Sequence, residues 1–450
     1  MKRLIVSLGL TLLLGSVFAQ TEVRWFVGLG TGTEQVAIDA QQVYVDAYNA
    51  SQDDIELVLE IVDNDSAYDV LATQIAAGNP PDIVGPMGIR GRDAFPGAWL
   101  DLAPLIESTG YDLSDFDPAL IDFYQVEGEG QLGIPFAVFP SFISYNKDLF
   151  DEAGLAYPPS AYGEPYIAAD GTEMPWNYDT LRELAIELTV DVDGNTPNDE
   201  AFDPNNVVQW GYGVQFGGDI RARASLFGAD TMVDDSGQAY ISDAWRDALQ
   251  WYYDAMWTDY FYPNGAYGNS DLLSAGNWFE SGNLAMDHTH LWYQACCMGA
   301  LESSWDLAPM VANADGVITA KLHGDTFGIP KGSNNPEAAF QVLGDMLGES
   351  AIELATIYGG LPARTSLQDG FFESFGADMF PDQDLNWQVA IDSLQYPDSP
   401  NHEAGLPGGT EANDTINTLG ALMDNNPDLD LNAELDVMLQ ELQLVYDANR

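Results

Sequence analysis

Along the first part of the chain the spacing of apolar residues switches repeatedly between two periods. EVRWFVGLG predicts a strand running into a glycine-rich turn, and Val36, Ala40, Val43 and Ala47 then recur at intervals of four, three and four. That spacing predicts a helix with one apolar face, flanked by Tyr44 and Tyr48 and capped by Thr31 or Thr33. In IELVLEIV, Ile55, Leu57, Leu59 and Ile61 alternate with Glu56 and Glu60, the pattern of a half-buried strand. DVLATQIAAG predicts a helix ending on Gly78, and PPDIVGP a short buried strand. Strand, helix, strand, helix, strand is a parallel α/β unit, and such sheets place ligands beyond the carboxyl ends of their strands.

The alternation resumes further on. WGYGVQF reads as a strand, DAWRDALQWYYDAMW as a helix carrying Trp245, Leu249 and Met256 inward, and NLAMDHTH as another strand. Pro336 starts a helix with Phe340, Leu343 and Leu347 on one face, and Leu435, Leu439 and Leu442 mark a final helix. Two α/β halves are expected. Between them GIPFAVFPSFISYNKDLF begins as a buried strand and ends as a helix entrance, with Pro135 and Pro140 where ladder hydrogen bonds belong.

Length and charge narrow the class. The chain has 450 residues, 46% of them hydrophobic, enough for two or three domains. MKRLIVSLGLTLLLGSVFA, residues 1–19, has the basic, apolar and small-residue regions of a secretory signal peptide cut before Gln20, with no lipid-anchor cysteine after the cut. No later apolar run is long enough to span a bilayer, so a periplasmic or secreted monomer is expected, without membrane insertion. Against 71 acidic residues stand 14 basic ones, a net charge of −57, which disfavours nucleic acid, anionic membranes and anionic ligands.

Four stretches resemble the extracellular solute-binding proteins of ABC importers, the maltose-binding-protein-like group: AAGNPPDIV, GIPFAVFPSFISYNKDLFDEAGL, FESGNLAM and FGIPKGSNNPEAAFQVL, with GGLPAR in support. A longer segment after the second stretch, Ala156 to Asn177, and the histidine-rich AMDHTHLWYQACC depart from that pattern. The resemblance implies a two-lobed periplasmic-binding-protein type II-like fold, with residues 20–138 and 311–352 in one lobe and 139–310 and 353–450 in the other. It implies crossings near Ala137 to Ser141, near Val311 and near Leu347 to Ala355, a carbohydrate, expected to be an oligosaccharide, clasped between the lobes, and a membrane permease as partner. A crossing segment would belong to neither ladder, so its prolines would cost little; the alternative is that they bracket an edge strand.

A sugar presents hydroxyls at its rim and C–H faces above and below, so its site needs aromatic planes and planar polar groups. Thr33 and Glu34 follow the first strand, though Glu34 also suits an ordinary first-turn acid. Asp82 precedes a short strand, as a ligand contact or a turn cap. Phe139 and Ser141 lie on the first crossing. Gly217, Gly218 and Asp219 end the strand begun at Trp210, and Trp292 and Tyr293 follow the Ala285–Met286 strand where relatives carry a stacking aromatic. Gly360 and Arg364 in GGLPAR complete the set, Arg364 being equally suited to an ion pair.

Three constellations offer other chemistry. Asp191, Asp193, Asn195 and Asp199 fall at loop positions one, three, five and nine, the oxygen spacing of a structural calcium loop, although the glycine and final glutamate of an EF-hand are missing. A solvated acidic turn is the alternative. Cys296 and Cys297 are either a vicinal disulfide or two buried thiols. His288 and His290 share a strand face and suit zinc, but no third partner stands at a convincing spacing. With no G-x-S-x-G elbow or H-E-x-x-H helix, the expectation is a binding protein without cofactor, not an enzyme. A secreted carbohydrate-active hydrolase and a binder of a polyol or other neutral solute are the alternatives.

Overall fold

The computed structural model describes residues 20–449 apart from Thr31, Glu127, residues 216–218, Asp235 and Glu349. The signal segment, Thr31, Gly217 and Gly218 therefore lie outside the described residues. The opening unit is β1 (Thr21–Val27), α1 (Gln35–Ser51), β2 (Ile55–Ile61), α2 (Asn64–Ala76) and β3 (Ile83–Met87), followed by the short α3 (Ile89–Asp93). β1 lies between β2 and β3 and runs parallel to both, as the alternating periods require.

The apolar face read for α1 is corrected. Val36 and Val43 are 78% and 70% exposed, while Ala37, Gln41, Tyr44, Val45 and Tyr48 are buried. Both stripes have helical spacing, and the aromatic one wins because it buries more surface. Tyr44 meets Trp25 edge-on, with ring centres 6.0 Å apart, and donates a 2.8 Å hydrogen bond to Asp345.

The proline-bearing segment is β4 (Pro135–Asn146), buried along its whole length. The remaining elements that matter here are β5 (Val207–Val214), α4 (Ile220–Ser225), α5 (Asp243–Trp257), β6 (Leu284–His290), α6 (Leu291–Cys296), β7 (Trp305–Ala308) and β8 (Leu322–Gly328). After them come α7 (Pro336–Met346), β9 (Leu361–Pro362), α8 (Thr410–Asn425) and α9 (Leu431–Ala448). One ten-stranded sheet runs β2-β1-β3-β8-β4-β6-β5 and ends on the two-residue strand Val190–Asp191, with β7 and β9 also pairing β4. From Pro135 to Pro140, β4 pairs antiparallel with β8; from Ser141 to Tyr145 it pairs antiparallel with β6.

The crossing segment thus belongs to two ladders in succession, not to neither. Pro135 opposes Thr326 and Pro140 opposes Leu322, so the prolines stand at the two ends of the β8 pairing. Ladder ends are where a missing N–H removes least.

One core gathers Trp245, Leu249, Met256, Leu435 and Leu442 around Tyr212, Tyr252 and Tyr262. Another packs Trp25, Phe136, Phe327, Phe340 and Leu343, and continues through Phe142 to Tyr293 and Trp305. The segment Ala156 to Asn177 forms a small hairpin, Tyr166–Ile167 with Glu173–Met174, anchored where Trp176 donates 2.9 Å to the Pro309 carbonyl.

Candidate functional site

β5 and β6 run parallel and end side by side, and the chain beyond their carboxyl ends forms one wall of a cavity of about 370 Å3. Gln215 follows β5, Asp219 and Arg221 stand at the start of α4, and His290 and Trp292 continue β6 into α6. The opposite wall comes from the opening unit and β8: Arg90 on α3, then Lys321 and His323. The loop pair His402–Glu403 and the α8 side chains Asn413 and Asn417 close it. A larger cavity of about 510 Å3, lined among others by Arg223, Asn264, Trp278 and Asp424, draws no residue from the opening unit. Among the described residues the smaller one joins Arg90, Lys321 and His323 to residues that follow β5 and β6.

The polar groups are held by local structure. The Asp219 carboxylate caps α4 by accepting from the Arg221 N–H at 2.8 Å. Arg221 in turn donates to the Ala404 carbonyl at 2.6 Å and to Asn413 at 3.2 Å. Burial pushes Lys321 down to about 8 against the opposing pull of Asp398, Asp219 and Glu403. Loss of solvation would raise the Glu403 pKa, but His323, His402 and Arg90 outweigh it and hold the carboxyl at about 2. Burial and the Glu403 charge lift nearby Asp325 to about 7, against the pull of His323. Trp292 lies flat on His290, ring centres 5.6 Å apart and 11° from parallel. The cavity therefore joins an indole plane to guanidinium, ammonium, carboxylate and amide groups, the equipment for hydroxyls and C–H faces.

Of the residues singled out in the sequence, Asp219, His290 and Trp292 line this cavity. The others stand elsewhere. Thr33 donates to Asn64 at 2.6 Å, and Glu34 accepts from the Gly32 N–H of its own turn. Asp82 accepts from the Arg24 N–H and the Ser333 hydroxyl, tying β1 to the loop before α7. Phe139 and Ser141 are buried in β4, opposite His323 and His290. Tyr293 is a core residue whose hydroxyl bonds Asn277. A side chain at Gly360 would meet the Phe139 ring and the Ala137 methyl, so that glycine serves close packing. Arg364 bonds the Leu347 carbonyl and the Tyr111 hydroxyl and lies 4.6 Å from the centre of the Phe116 ring.

Arg90, Arg221, Lys321, His323, His402 and Glu403 escaped the sequence reading because the cavity gathers them from four segments far apart along the chain. The one signal available was that all four histidines fall after residue 287.

In the acidic loop the Asp191 carboxylate accepts the N–H groups of Asp193, Asn195 and Asp203 and the Asn195 amide. Its burial acts to raise the pKa, and these bonds, those of Asn195 foremost, prevail and hold it at about 2. Asp199 accepts from the Thr196 N–H, and Asp193 shares the loop. Cys296 and Cys297 are joined as a vicinal disulfide.

Residues 33–352 match the family model of the bacterial extracellular solute-binding proteins. The chain belongs to that family. Among curated relatives, the sn-glycerol-3-phosphate-binding periplasmic protein UgpB of Brucella suis is 32% identical over 182 residues, 37% of this chain and 40% of that protein. The match thus spans about two fifths of the relative's length. Among solved structures, UgpB from Mycobacterium tuberculosis in complex with glycerophosphocholine superposes with a TM-score of 0.73 at 16% identity, covering 95% of this chain and 99% of that one. Lmo0181 from Listeria monocytogenes in complex with cycloalternan gives 0.67 at 20%, covering 94% and 98%. Maltose-bound MalE3 of T. maritima gives 0.68 at 18%, covering 94% and 100%. At these identities the structures establish the two-lobed fold. Members of the family are substrate-binding proteins, and among the described residues of this one no helix is long and apolar enough to cross a membrane.

Proposed function

We propose that this solute-binding protein is the extracytoplasmic component of an ABC importer and clasps a small carbohydrate between its two lobes, delivering it to a membrane permease. The observation that carries the reading is the 370 Å3 cavity, where Trp292, Asp219 and Arg221 face Arg90 and His323 from the other half. The lobes in this reading are residues 20–138 with 311–352 and residues 139–310 with 353–450, working as a monomer outside the cytoplasm. A guest touching both walls binds the closed form better than the open one, and that difference shifts the population toward closure. The volume lies near the lower end of small-molecule sites, roughly 300 to 1,000 Å3, which favours a guest of one or two rings over a longer oligosaccharide.

A second reading is favoured by Arg90, Arg221 and Lys321. Three cations in one cavity of so acidic a chain suit a polyol bearing a phosphate, and the Brucella relative is named for sn-glycerol-3-phosphate.

The test is a thermal-shift array of mono- and disaccharides, polyols and glycerol phosphates, with scattering on each hit and chromatography of the recovered ligand. The expected result is a melting point raised by a small set of compounds, a smaller radius of gyration and the ligand intact. A hit confined to phosphorylated polyols selects the second reading. Turnover of any saccharide, with unchanged dimensions, overturns both.

A further inference from the structure

All four histidines of the chain stand in one file, which reaches the cavity wall at His290, His323 and His402. The ring centres of His288 and His290 are 4.9 Å apart, those of His290 and His323 4.3 Å, and those of His323 and His402 4.7 Å. In a chain of 450 residues with four histidines, such a file is not a by-product of composition.

One donor atom from each of His323, His402 and Glu403 can be chosen so that all three lie within 4.8 Å of one another. His323 Nδ1 and Glu403 Oε1 are 3.6 Å apart. In a tetrahedral shell with bonds of about 2.0–2.1 Å, neighbouring donors stand about 3.4 Å apart, so the pair needs to close by only a few tenths of an ångström. His402 is already oriented: its Nδ1 is 2.8 Å from the Asp398 carboxylate, which leaves Nε2 as its donor. A carboxylate behind the imidazole is the usual outer support of a metal-binding histidine.

A second, independent observation points to a ligand. His290 is 2% exposed, both its ring nitrogens lack a hydrogen-bond partner, and it lines the cavity against His323. Buried imidazole nitrogens without partners are costly, and a polar ligand in the cavity beside His323 relieves that cost.

We propose that His323, His402 and Glu403 bind a divalent cation of the zinc class in the interlobe cavity, with His290 standing beside His323 at the edge of the site. Two imidazole nitrogens and a carboxylate oxygen suit zinc, nickel or copper and not magnesium or calcium, which prefer all-oxygen shells. Lys321, Arg90 and Arg221 repel a dication and Glu403, Asp398 and Asp219 attract it, so imidazole affinity, not bulk charge, decides the selectivity. The site does not depend on which solute the cleft carries.

The test uses the mature chain purified without a polyhistidine tag, stripped with EDTA and titrated with zinc chloride by calorimetry in the absence of any sugar. One equivalent of zinc is expected to bind in the micromolar range or tighter, undisturbed by millimolar magnesium. Glu403→Gln, which keeps size and shape, and His323→Ala are each expected to weaken binding at least tenfold. Cobalt supplied in place of zinc should give the intense visible bands of a tetrahedral nitrogen–oxygen shell in the unmutated protein, a reading independent of how any variant folds. Absence of saturable zinc uptake overturns the proposal, as does uptake unchanged in both variants or a cobalt spectrum of weak, octahedral type.

Discussion

Trp292 and Arg364 are both polar-tipped, planar side chains placed after sheet strands, and their surroundings give them opposite work. Trp292 lines the cavity and lies against His290. Arg364 spends its guanidinium on the Leu347 carbonyl, the Tyr111 hydroxyl, the Asp115 carboxylate and the Phe116 ring, all within the protein. Trp292→Ala should therefore weaken solute binding about tenfold or more, the loss of roughly 1.4 kcal/mol or more of aromatic contact, with little change in denaturant midpoint. Arg364→Ala should do the reverse, lowering stability by about 2–3 kcal/mol through lost charge-assisted hydrogen bonds while leaving affinity within about twofold. Arg364→Lys should not restore it, because an ammonium cannot reproduce the planar fork. Titration calorimetry and urea unfolding on the same preparations separate the two effects; a tenfold affinity loss in Arg364→Ala would put that residue in the recognition site.

At the scale of elements, what could be read from sequence was whatever one local period decides. α5 carries Trp245, Leu249 and Met256 inward as its spacing requires, whereas β2 alternates only over Ile55, Glu56 and Leu57 and is half-buried on both faces beyond. α1 was ambiguous, since two helical stripes compete there and only the sheet beneath decides between them. The β4 crossing was readable as a special segment from its prolines, but not as a strand shared by two ladders, because pairing partners lie more than 140 residues away. The cleft was hardest for the same reason: Asp219 and Trp292 follow recognisable strands, whereas His402 and Glu403 come from a loop with no period at all. Contacts that no period encodes can still be tested by substitution. A methyl at Gly211 on β5 would stand 1.9 Å from the Ala185 carbonyl, a rigid helix atom, so Gly211→Ala should cost about 3 kcal/mol or prevent folding. Val43→Ser, on the stripe of α1 that faces solvent, should change stability by less than about 0.5 kcal/mol. A large loss at Val43 would mean that α1 is rotated from the position described.

The whole molecule carries a charge of −57, and among the described residues seven of its 14 basic side chains are held in ion pairs. Arg24, Arg92, Lys147, Arg182, Arg223, Arg246 and Arg364 each pair with a carboxylate, so the acidic surplus lies unneutralised over the surface. Salt acts on these two populations in opposite directions. It weakens the pairs, but most are partly buried and their partners lie within 3.4 Å, inside the Debye length of about 10 Å at 0.1 M. It also damps the mutual repulsion of the surplus carboxylates, which acts over longer distances and falls as the Debye length drops from about 30 Å at 0.01 M to about 3 Å at 1 M. Repulsion involves many more charges than the pairs do, so its relief should win. The melting temperature measured by calorimetry should rise by several degrees between low salt and about 1 M sodium chloride, with most of the gain below roughly 0.3 M, where screening changes fastest. The same curve with potassium chloride should coincide, since screening depends on ionic strength and not on the cation. A melting point that falls with salt would assign the fold's electrostatic stability to its few ion pairs and remove the acidic surface as a destabilising term.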